Sequence, residues 1–171
     1  PGTLDGDTQH KGVIEKLGLP LIAKPRVSRG GRGVSLYNTP EELSQENRKS
    51  IIYQQFMPGQ EFDANLYIDR QGAVRSCVVL AKTQLKEGIV GNALSVERVA
   101  RQDVADLAIR TCKTVGLTGP VDMDIRIDAA GMPRLLEINA RIGANMLFAE
   151  ETMENLLADW QSFVNLKGEQ L

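Results

Sequence analysis

Residues 120–146 read PVDMDIRIDAAGMPRLLEINARIGANM, and their pattern predicts two strands joined by a tight turn. In the first half, four apolar residues alternate with four charged ones, which is typical of a strand with one buried and one polar face. The apolar residues are Val121, Met123, Ile125 and Ile127, and the charged ones are Asp122, Asp124, Arg126 and Asp128. The segment Arg134–Asn139 is the predicted partner strand. Residues 129–132 form the turn, where Gly131 can supply a positive φ.

The register of this hairpin follows from the point at which it closes. If Asp128 lies opposite Pro133, three cross-strand pairs are fixed, and a single bulge would break them. The pairs are Asp124 with Glu137, Asp122 with Asn139, and Ile125 with Leu136. On the second strand, one face is predicted to point into a core and the other to continue the charged face. The core face has Leu136 and Ile138, and the charged face has Leu135, Glu137, Asn139 and Arg141.

The pairing of Asp124 with Glu137 calls for a compensating partner. Two carboxylates directly opposite one another are unfavourable by a few tenths to about 1 kcal/mol. A divalent cation would relieve this repulsion, and Asp124, Glu137 and Asn139 offer only the hard oxygen ligands that suit Mg²⁺. The alternative is a solvated polar face of an antiparallel sheet. The hairpin alone leaves both interpretations open.

The composition describes a globular chain without marked charge. Its 171 residues are 42% hydrophobic, which suffices for the core of one domain or two small lobes. The net charge of −2 gives no reason to expect nucleic acid or an anionic membrane as a partner. Apolar runs of membrane-spanning length and a basic leader are both missing, so we expect a cytoplasmic protein. Cys77 and Cys112 lack metal or redox spacing, and nothing indicates a catalytic partner for His10.

A glycine- and arginine-rich loop follows Lys24, which ends a predicted strand. Residues 26–34 read RVSRGGRGV, and a second predicted strand begins at Val34. Such a loop between two strands can place backbone N–H groups and positive charge on a polyphosphate. It has neither the Walker A pattern nor the glycine pattern of dinucleotide-binding folds. The alternative interpretation is an ordinary glycine-rich hairpin with solvated arginines.

The remaining segments predict a small lobe and a larger lobe, joined by a hinge at Met57–Gly59. The small lobe has predicted helices over 7–17 and 40–48, and a strand over 50–56. The larger lobe has predicted strands over 60–68 and 74–82, an irregular segment over 83–93, and helices over 100–115 and 148–164. In the last helix, we expect Trp160 to lie in the core.

Together these features resemble the ATP-grasp superfamily of ligases. The resemblance covers about Leu19–Met146 and rests on the order of Lys24-Pro25, the glycine-rich loop, the hinge and the Asp…Glu-x-Asn hairpin. It implies an α+β fold of two lobes, each with an antiparallel sheet and flanking helices, with the nucleotide in the cleft between them. The lobes would span 1–57 and 58–171. We expect the family's N-terminal substrate domain to be absent from this chain, which puts stand-alone catalysis in doubt more than nucleotide binding.

The resemblance also implies a nucleotide-binding set. Lys24 and Lys82 would contact the phosphates, and the glycine-rich loop would close over them through Ser28, Arg29, Gly30, Gly31 and Gly33. Backbone groups of Gln54, Gln55, Phe56 and Met57 would bind the adenine, and Glu61 the ribose hydroxyls. Gln54 departs from the family pattern, which commonly has a glutamate there.

Metal-binding and catalytic residues follow from the same resemblance. Asp124, Glu137 and Asn139 would hold one or two Mg²⁺ ions, or Mn²⁺ in their place. Arg141 and Lys82 are the implied catalytic residues, with Arg141 stabilising charge on the transferring phosphate. Ala140 replaces the proline of the family's Asn-Pro-Arg motif. Arg126 would either assist with phosphate or substrate, or form a salt bridge.

The implied activity is that of a carbon–nitrogen ligase. ATP would phosphorylate a small-molecule carboxylate, and an amine would then displace phosphate from the acyl phosphate. Two alternatives stay open, namely a non-catalytic ATP-binding regulatory module of the same fold and a structural domain with a solvated acidic hairpin. We expect no nucleic-acid or membrane partner, and a homo-oligomer is one of the assembly states left open.

Overall fold

Alternating apolar and polar residues build two antiparallel sheets in this chain. The computed structural model describes residues 1–87 and 90–168 and has an α+β architecture, which confirms the expected fold class. By their internal contacts, the residues form two compact units. The first comprises Pro1–Pro58 and Gln84–Leu94, and the second comprises Gly59–Thr83 and Ser95–Leu171. The first unit therefore includes a segment that lies far along the chain from the rest of it.

The first unit contains a four-stranded sheet with two short helices. Its strands are β1 (Thr3–Asp5), β2 (Leu21–Pro25), β3 (Ser35–Tyr37) and β4 (Ile51–Gln55), in the order β1-β4-β2-β3. Its helices are α1 (His10–Leu17) and α2 (Pro40–Ser44). The core of this unit is formed by buried side chains from both helices and the two central strands. These include Val13, Leu17, Leu21, Leu43, Ile51 and Tyr53.

Helix α2 begins as predicted but ends early. Thr39 caps it by accepting a hydrogen bond from the backbone N–H of Glu42 at 3.2 Å, and Pro40 occupies the first turn. The helix ends at Ser44, whereas the sequence predicted about Arg48. The carboxylate of Glu46 is buried and bound by the side chains of Tyr37 and Arg48, so this segment is held by side-chain bonds instead of helical ones.

The second sheet has five strands, in the order β7-β6-β5-β8-β9, and belongs to the second unit except for residues 84–87 of β6 and 90–94 of β7, which belong to the first. The strands are β5 (Glu61–Ile68), β6 (Val74–Glu87), β7 (Val90–Arg98), β8 (Gly119–Ile127) and β9 (Pro133–Asn139). Two helices, α3 (Gln102–Val115) and α4 (Glu150–Gly168), and a 3₁₀ helix at Met146–Phe148 complete the second unit. The predicted irregular segment 83–93 is mostly strand in the structure, which corrects that expectation, and residues 88 and 89 lie outside the described part.

The predicted alternation along β8 is confirmed by burial. Val121, Met123 and Ile125 are fully buried and pack with β5 and α3 in the main core of the unit. The opposite face of the sheet is partly covered by a smaller apolar cluster. Val78 and Leu80 of β6 form this cluster with Met146 and Ala149. The charged residues of β5 and β8 therefore lie on a partly covered face and are not simply solvated.

The hairpin of β8 and β9 has the predicted register at its open end and a bulge near its turn. Asp122 pairs with Asn139 and Asp124 with Glu137, as predicted. The register then shifts by one residue, so that Ile125 lies opposite Leu135 and not Leu136. The bulge places Leu135 with Ile138 against the core, which corrects the predicted assignment of faces.

Helix α4 exposes the apolar stripe that was expected to be buried. Leu157, Trp160 and Val164 are 53%, 62% and 49% exposed, so the prediction that Trp160 lies in the core is wrong. The helix contacts the sheet near its start, where Thr152 bonds to Ser76 and Met153 packs on the smaller cluster, and again at Asp159, which accepts a bond from the hydroxyl of Tyr67 at 2.6 Å. No helix in the described part of the chain is both long and apolar enough to cross a membrane.

Candidate functional site

A cluster of polar side chains lies on the partly covered face of the second unit's sheet. On β5, Glu61, Asp63 and Asn65 alternate with the core residues Phe62, Ala64 and Leu66. The ladder with β8 places Asp63 opposite Asp124 and Asn65 opposite Asp122. Strand alternation on both β5 and β8 therefore brings several acidic groups together in one place.

Lys82 joins two of the predicted site residues. Its ammonium lies 2.7 Å from Oε1 of Glu61 and 2.6 Å from Oδ1 of Asp124, and the lysine side chain is only 6% exposed. Burial alone would lower the pKa of Lys82, but the two carboxylates outweigh burial and raise it above the ordinary value. The backbone carbonyl of Lys82 also accepts a bond from Nε2 of Gln60 at 2.5 Å. The ammonium is thus charged and held in a fixed position.

Asp63 and Asp122 form a buried carboxylate pair beside this lysine. Asp63 is 2% exposed and Asp122 is 7% exposed. Asp63 accepts bonds from the side-chain amides of Asn65 at 3.0 Å and Asn145 at 2.8 Å. Burial, together with the contact to Asp63, raises the pKa of Asp122 above its ordinary value. Burial also raises the pKa of Asp124, to about 6, against the opposing effect of Lys82.

The loop after β9 folds onto this pair. Arg141 places Nη1 3.2 Å from Oδ2 of Asp122, while its guanidinium stays largely exposed. A Cβ added at Gly143 would lie only 2.7 Å from Cγ of Asp122. Only a residue without a side chain fits at position 143 unless Asp122 moves, so the close approach of this loop depends on glycine. Arg141, Gly143 and Asn145 all lie within a few residues of the Glu-x-Asn motif.

The three predicted metal ligands occupy neighbouring strands. Glu137 is exposed and Asn139 half-buried on β9, across the ladder from Asp124 and Asp122 respectively. All three predicted ligands offer oxygen, which fits the preference of Mg²⁺. Among the described residues, the acidic side chains that lie within 4.8 Å of one another are a different set, namely Asp63, Asp122 and Asp124. The metal roles of Glu137 and Asn139 stay predictions.

Arg126, on β8, contacts residues at the start of β5 and just before it. Its Nε donates to the carbonyl of Gly59 at 2.9 Å, and its Nη1 lies 3.8 Å from Oε2 of Glu61. Of the two interpretations of Arg126, the structure thus provides a salt bridge, and burial lowers the pKa of its guanidinium. Glu61 is consequently in contact with two basic side chains, Lys82 and Arg126.

The other predicted nucleotide-binding residues belong to the first unit. Lys24 lies on β2, half-buried and opposite Ile52 of β4. In the glycine-rich loop, Gly30, Gly31 and Gly33 all have positive φ, at 61°, 75° and 74°. Ser28 donates to the carbonyl of Arg32 at 2.6 Å, and Arg48 donates to the carbonyl of Gly33. Arg29 is exposed.

The predicted adenine segment begins inside a strand. Gln54 is buried in β4, between β1 and β2, and Gln55 at the end of β4 is exposed. Phe56 is half-buried and Met57 buried. The nucleotide-binding roles of these four residues and of the glycine-rich loop stay predictions.

Several residues of the cluster were not identified from the sequence. Asp63 and Asn65 had a visible signal, since they follow Glu61 at a period of two in a predicted strand. Asp122 was paired with Asn139 but given no role. Asn145 had no usable signal, because its contact with Asp63 depends on how the loop folds back.

Comparison with known proteins places the chain in a family. A family model described as an ATP-grasp domain matches residues 7–145. The chain belongs to the ATP-grasp family. This confirms the resemblance that the motifs indicated.

Among its curated ATP-grasp relatives is the D-alanine–D-alanine ligase of Gloeobacter violaceus, which is 28% identical over 147 residues. That match covers 76% of this chain and 48% of the relative. Another is the pyruvate carboxylase of Schizosaccharomyces pombe, 25% identical over 169 residues, with 88% of this chain and 14% of the relative covered. The chain thus spans about half the length of the D-alanine–D-alanine ligases it matches.

Solved ATP-grasp structures match the fold over most of the chain. The L-amino acid ligase from Bacillus licheniformis has a TM-score of 0.62 at 25% identity, with 86% of this chain and 37% of that chain covered. The N5-carboxyaminoimidazole synthetase from Staphylococcus aureus, in complex with ADP, has a TM-score of 0.69 at 14% identity, with 87% of this chain and 42% of that chain covered. At that identity, the second match bears on the fold alone.

Proposed function

We propose that this chain is the Mg²⁺-ATP-binding core of a carbon–nitrogen ligase that activates a carboxylate as an acyl phosphate. The observation that carries the proposal is the buried ammonium of Lys82, held between Glu61 and Asp124 on one polar face. A fixed positive charge beside acidic groups suits the neutralisation of transferring phosphate. Membership of the ATP-grasp family supports the choice of nucleotide. Relatives named as ligases of amino acids support a carboxylate and an amine as substrates.

The nucleotide-binding residues are those that the resemblance to the ATP-grasp family implies. We assign the phosphates to Lys24, Lys82 and the glycine-rich loop, whose three positive-φ glycines turn the backbone at 30, 31 and 33. Backbone groups of residues 54–57 would bind the adenine, and Glu61 the ribose hydroxyls. Two basic side chains contact Glu61, and its carboxylate oxygens are suited to accept hydrogen bonds from hydroxyl groups.

The metal would be held by Asp124, Glu137 and Asn139. Their donor atoms are all oxygens, which fits Mg²⁺ and also Mn²⁺. When bound, the ion would neutralise charge on the phosphates. Lys82 shares the carboxylate of Asp124 and so fixes the orientation of this ligand.

The reaction would form and break one bond in each of two steps. A carboxylate oxygen of the substrate bonds to the terminal phosphorus of ATP, and the bond from that phosphorus to ADP breaks. The amine nitrogen then bonds to the acyl carbon, inorganic phosphate leaves, and the nitrogen loses a proton to solvent. Lys82 and Arg141 are the groups that we assign to stabilise charge on the phosphate, since phosphoryl transfer depends mainly on positioning and charge.

A second candidate is a non-catalytic nucleotide-binding module. It is favoured by one observation, which is that Arg141, assigned above to the transferring phosphate, is already paired with a carboxylate of this chain, Asp122, at 3.2 Å. Both candidates require the same nucleotide site and differ in turnover.

Turnover can be tested by measuring ADP release from ATP and Mg²⁺ with mixtures of amino acids as combined carboxylate and amine substrates. The ligase proposal predicts ADP release that depends on the amino acid, and a loss of at least about 100-fold in Glu137→Gln. Because Glu137 is exposed, this substitution is not expected to unfold the chain. Glu154→Gln, an exposed position on α4, serves as the matched control and should keep full activity. Nucleotide binding without amino-acid-dependent ADP release would favour the non-catalytic module.

A further inference from the structure

The buried carboxylates of β5 and β8 form a group that the proposed nucleotide chemistry does not fully use. We propose that Asp63, Asp122 and Asp124, with the side-chain oxygen of Asn65, form a second site for a hard divalent cation such as Mg²⁺ or Mn²⁺. This site draws on β5 and β8 and does not include Glu137 or Asn139. It exists without nucleotide and therefore does not rest on the proposed function.

The spacing of the three carboxylates fits a shared ion. One oxygen from each lies within 4.8 Å of the others. Two oxygens on opposite sides of one Mg²⁺ or Ca²⁺ ion are about 4–5 Å apart, given ligand distances of about 2.0–2.6 Å. The donors come from two hydrogen-bonded strands, so the protein holds them at this spacing without a flexible loop.

The burial of Asp63 without an ion pair to any described residue is the strongest reason to expect a cation. Asp124 pairs with Lys82, and Asp122 pairs with Arg141. Asp63 is 2% exposed and is bound by the amides of Asn65 and Asn145, and within the described residues it forms no ion pair. A buried carboxylate without a positive partner is costly, because it has lost its hydration without gaining an opposite charge. A bound cation would supply that charge.

Asn65 provides an independent sign of a missing ligand. Its side chain is fully buried, and its Nδ2 donates to Asp63 at 3.0 Å. Its Oδ1 is buried and has no hydrogen-bond partner. Buried polar atoms are almost always paired, so an orphan acceptor next to three carboxylates indicates a positive ligand. An amide oxygen is an ordinary ligand of hard cations.

The ion could enter from the Asp124 side of the group. The Asp124 side chain is 28% exposed, whereas Asp63, Asn65 and Asp122 are buried. Lys82 occupies Oδ1 of Asp124, which leaves Oδ2 for an ion. Arg141 covers Asp122 with a largely exposed guanidinium, so it can move aside without breaking a core contact.

The test is a titration of this chain with Mn²⁺ alone, without nucleotide, following the electron paramagnetic resonance signal of free Mn²⁺. We expect Mn²⁺ to bind to the parent chain, with at least a tenfold weaker affinity in Asp63→Asn and in Asp122→Asn, which keep the size of each side chain. Circular dichroism without metal checks that each variant is folded. If one of the two variants does not fold, the affinity of the other is compared with that of the parent chain.

Two further variants make the result specific. Glu137→Gln separates this site from the metal site assigned under the proposed function, because Glu137 lies outside the present set. Asp103→Asn, at a partly exposed acid in the first turn of α3, controls for the loss of one negative charge. The proposal is overturned if no Mn²⁺ binds up to about 1 mM, the weak end of protein sites for divalent ions. It is also overturned if Asp63→Asn binds normally or if Glu137→Gln loses as much affinity as Asp63→Asn.

Discussion

Lys82 is the residue on which the account of the site depends. It is buried with Glu61, and its ammonium contacts the carboxylates of both Glu61 and Asp124. The positive charge of Lys82 is therefore balanced by side chains of the protein and not by water. Removing one member of such a group destabilises the fold, because the carboxylates left behind have no opposite charge beside them. The three residues were each identified from the sequence, yet nothing in the sequence showed that they touch.

Replacing Lys82 by Met should therefore lower the free energy of unfolding by about 3–5 kcal/mol. Lys86→Met is the matched control, since Lys86 is an exposed lysine on the same strand, and its effect should stay within about 0.5 kcal/mol. Urea unfolding followed by circular dichroism measures both. Equal effects of the two substitutions would contradict a buried ion-pair group at Lys82.

Strand periodicity explains which site residues the sequence could reveal. Asp124 and Glu137 were recognisable because a hairpin register can be counted from its turn, and the structure has that pair. Asp63 could have been found from the alternation along β5. The contacts of Arg141 and Asn145 could not have been predicted from the sequence, because they depend on a loop that folds back onto Asp63 and Asp122.

At the scale of elements, a carboxylate holds the connection between α2 and β4. Glu46 accepts bonds from the hydroxyl of Tyr37 at 2.7 Å and from Nε of Arg48 at 2.9 Å, and its side chain is 2% exposed. The bond from Arg48 outweighs burial and lowers the pKa of Glu46 to about 2. A carboxyl group whose pKa is lower in the folded state stabilises the fold above its unfolded pKa and loses that effect as pH falls.

The Glu46→Gln variant should therefore be less stable than the parent chain by about 2 kcal/mol at neutral pH. This difference should persist down to about pH 4.5 and shrink as pH falls toward 2, the pKa at which the parent carboxyl is half protonated. Urea unfolding at a series of pH values gives the difference directly. Glu41→Gln, at an exposed acid in the first turn of α2, should differ little from the parent throughout. A difference for Glu46→Gln that is constant over this range would contradict the assignment.

Two elements have features that the sequence pattern did not predict, namely the β8–β9 hairpin and helix α4. The bulge between β8 and β9 moves Leu135 to the core side, and a symmetric count from the turn does not include such an insertion. Helix α4 has a regular apolar stripe, but its exposed positions, including Trp160, show that periodicity identifies a face without showing what covers it.

At the scale of the molecule, the order of the motifs carried more information than any one motif. Lys24, the glycine-rich loop and the Asp…Glu-x-Asn hairpin are each weak signals, but their sequence order indicated the ATP-grasp family, which the family match over residues 7–145 confirms. The two antiparallel sheets were predictable in part, because strands such as β5 and β8 alternate and are bounded by turn residues, whereas β1 and β7 were not predicted. The substrates were not predictable, because the residues that determine specificity for a carboxylate and an amine follow no general sequence pattern.

The most direct test of the central claim is thermal stability of this chain with a non-hydrolysable ATP analogue in Mg²⁺, compared with Mg²⁺ alone. A ligand at about 100 times its dissociation constant should add about 2.7 kcal/mol to the free energy of unfolding. We predict a rise in melting temperature that requires both Mg²⁺ and analogue and that is lost in Glu137→Gln. An analogue that adds no stability in the presence of Mg²⁺ would contradict the claim that this chain carries the nucleotide site.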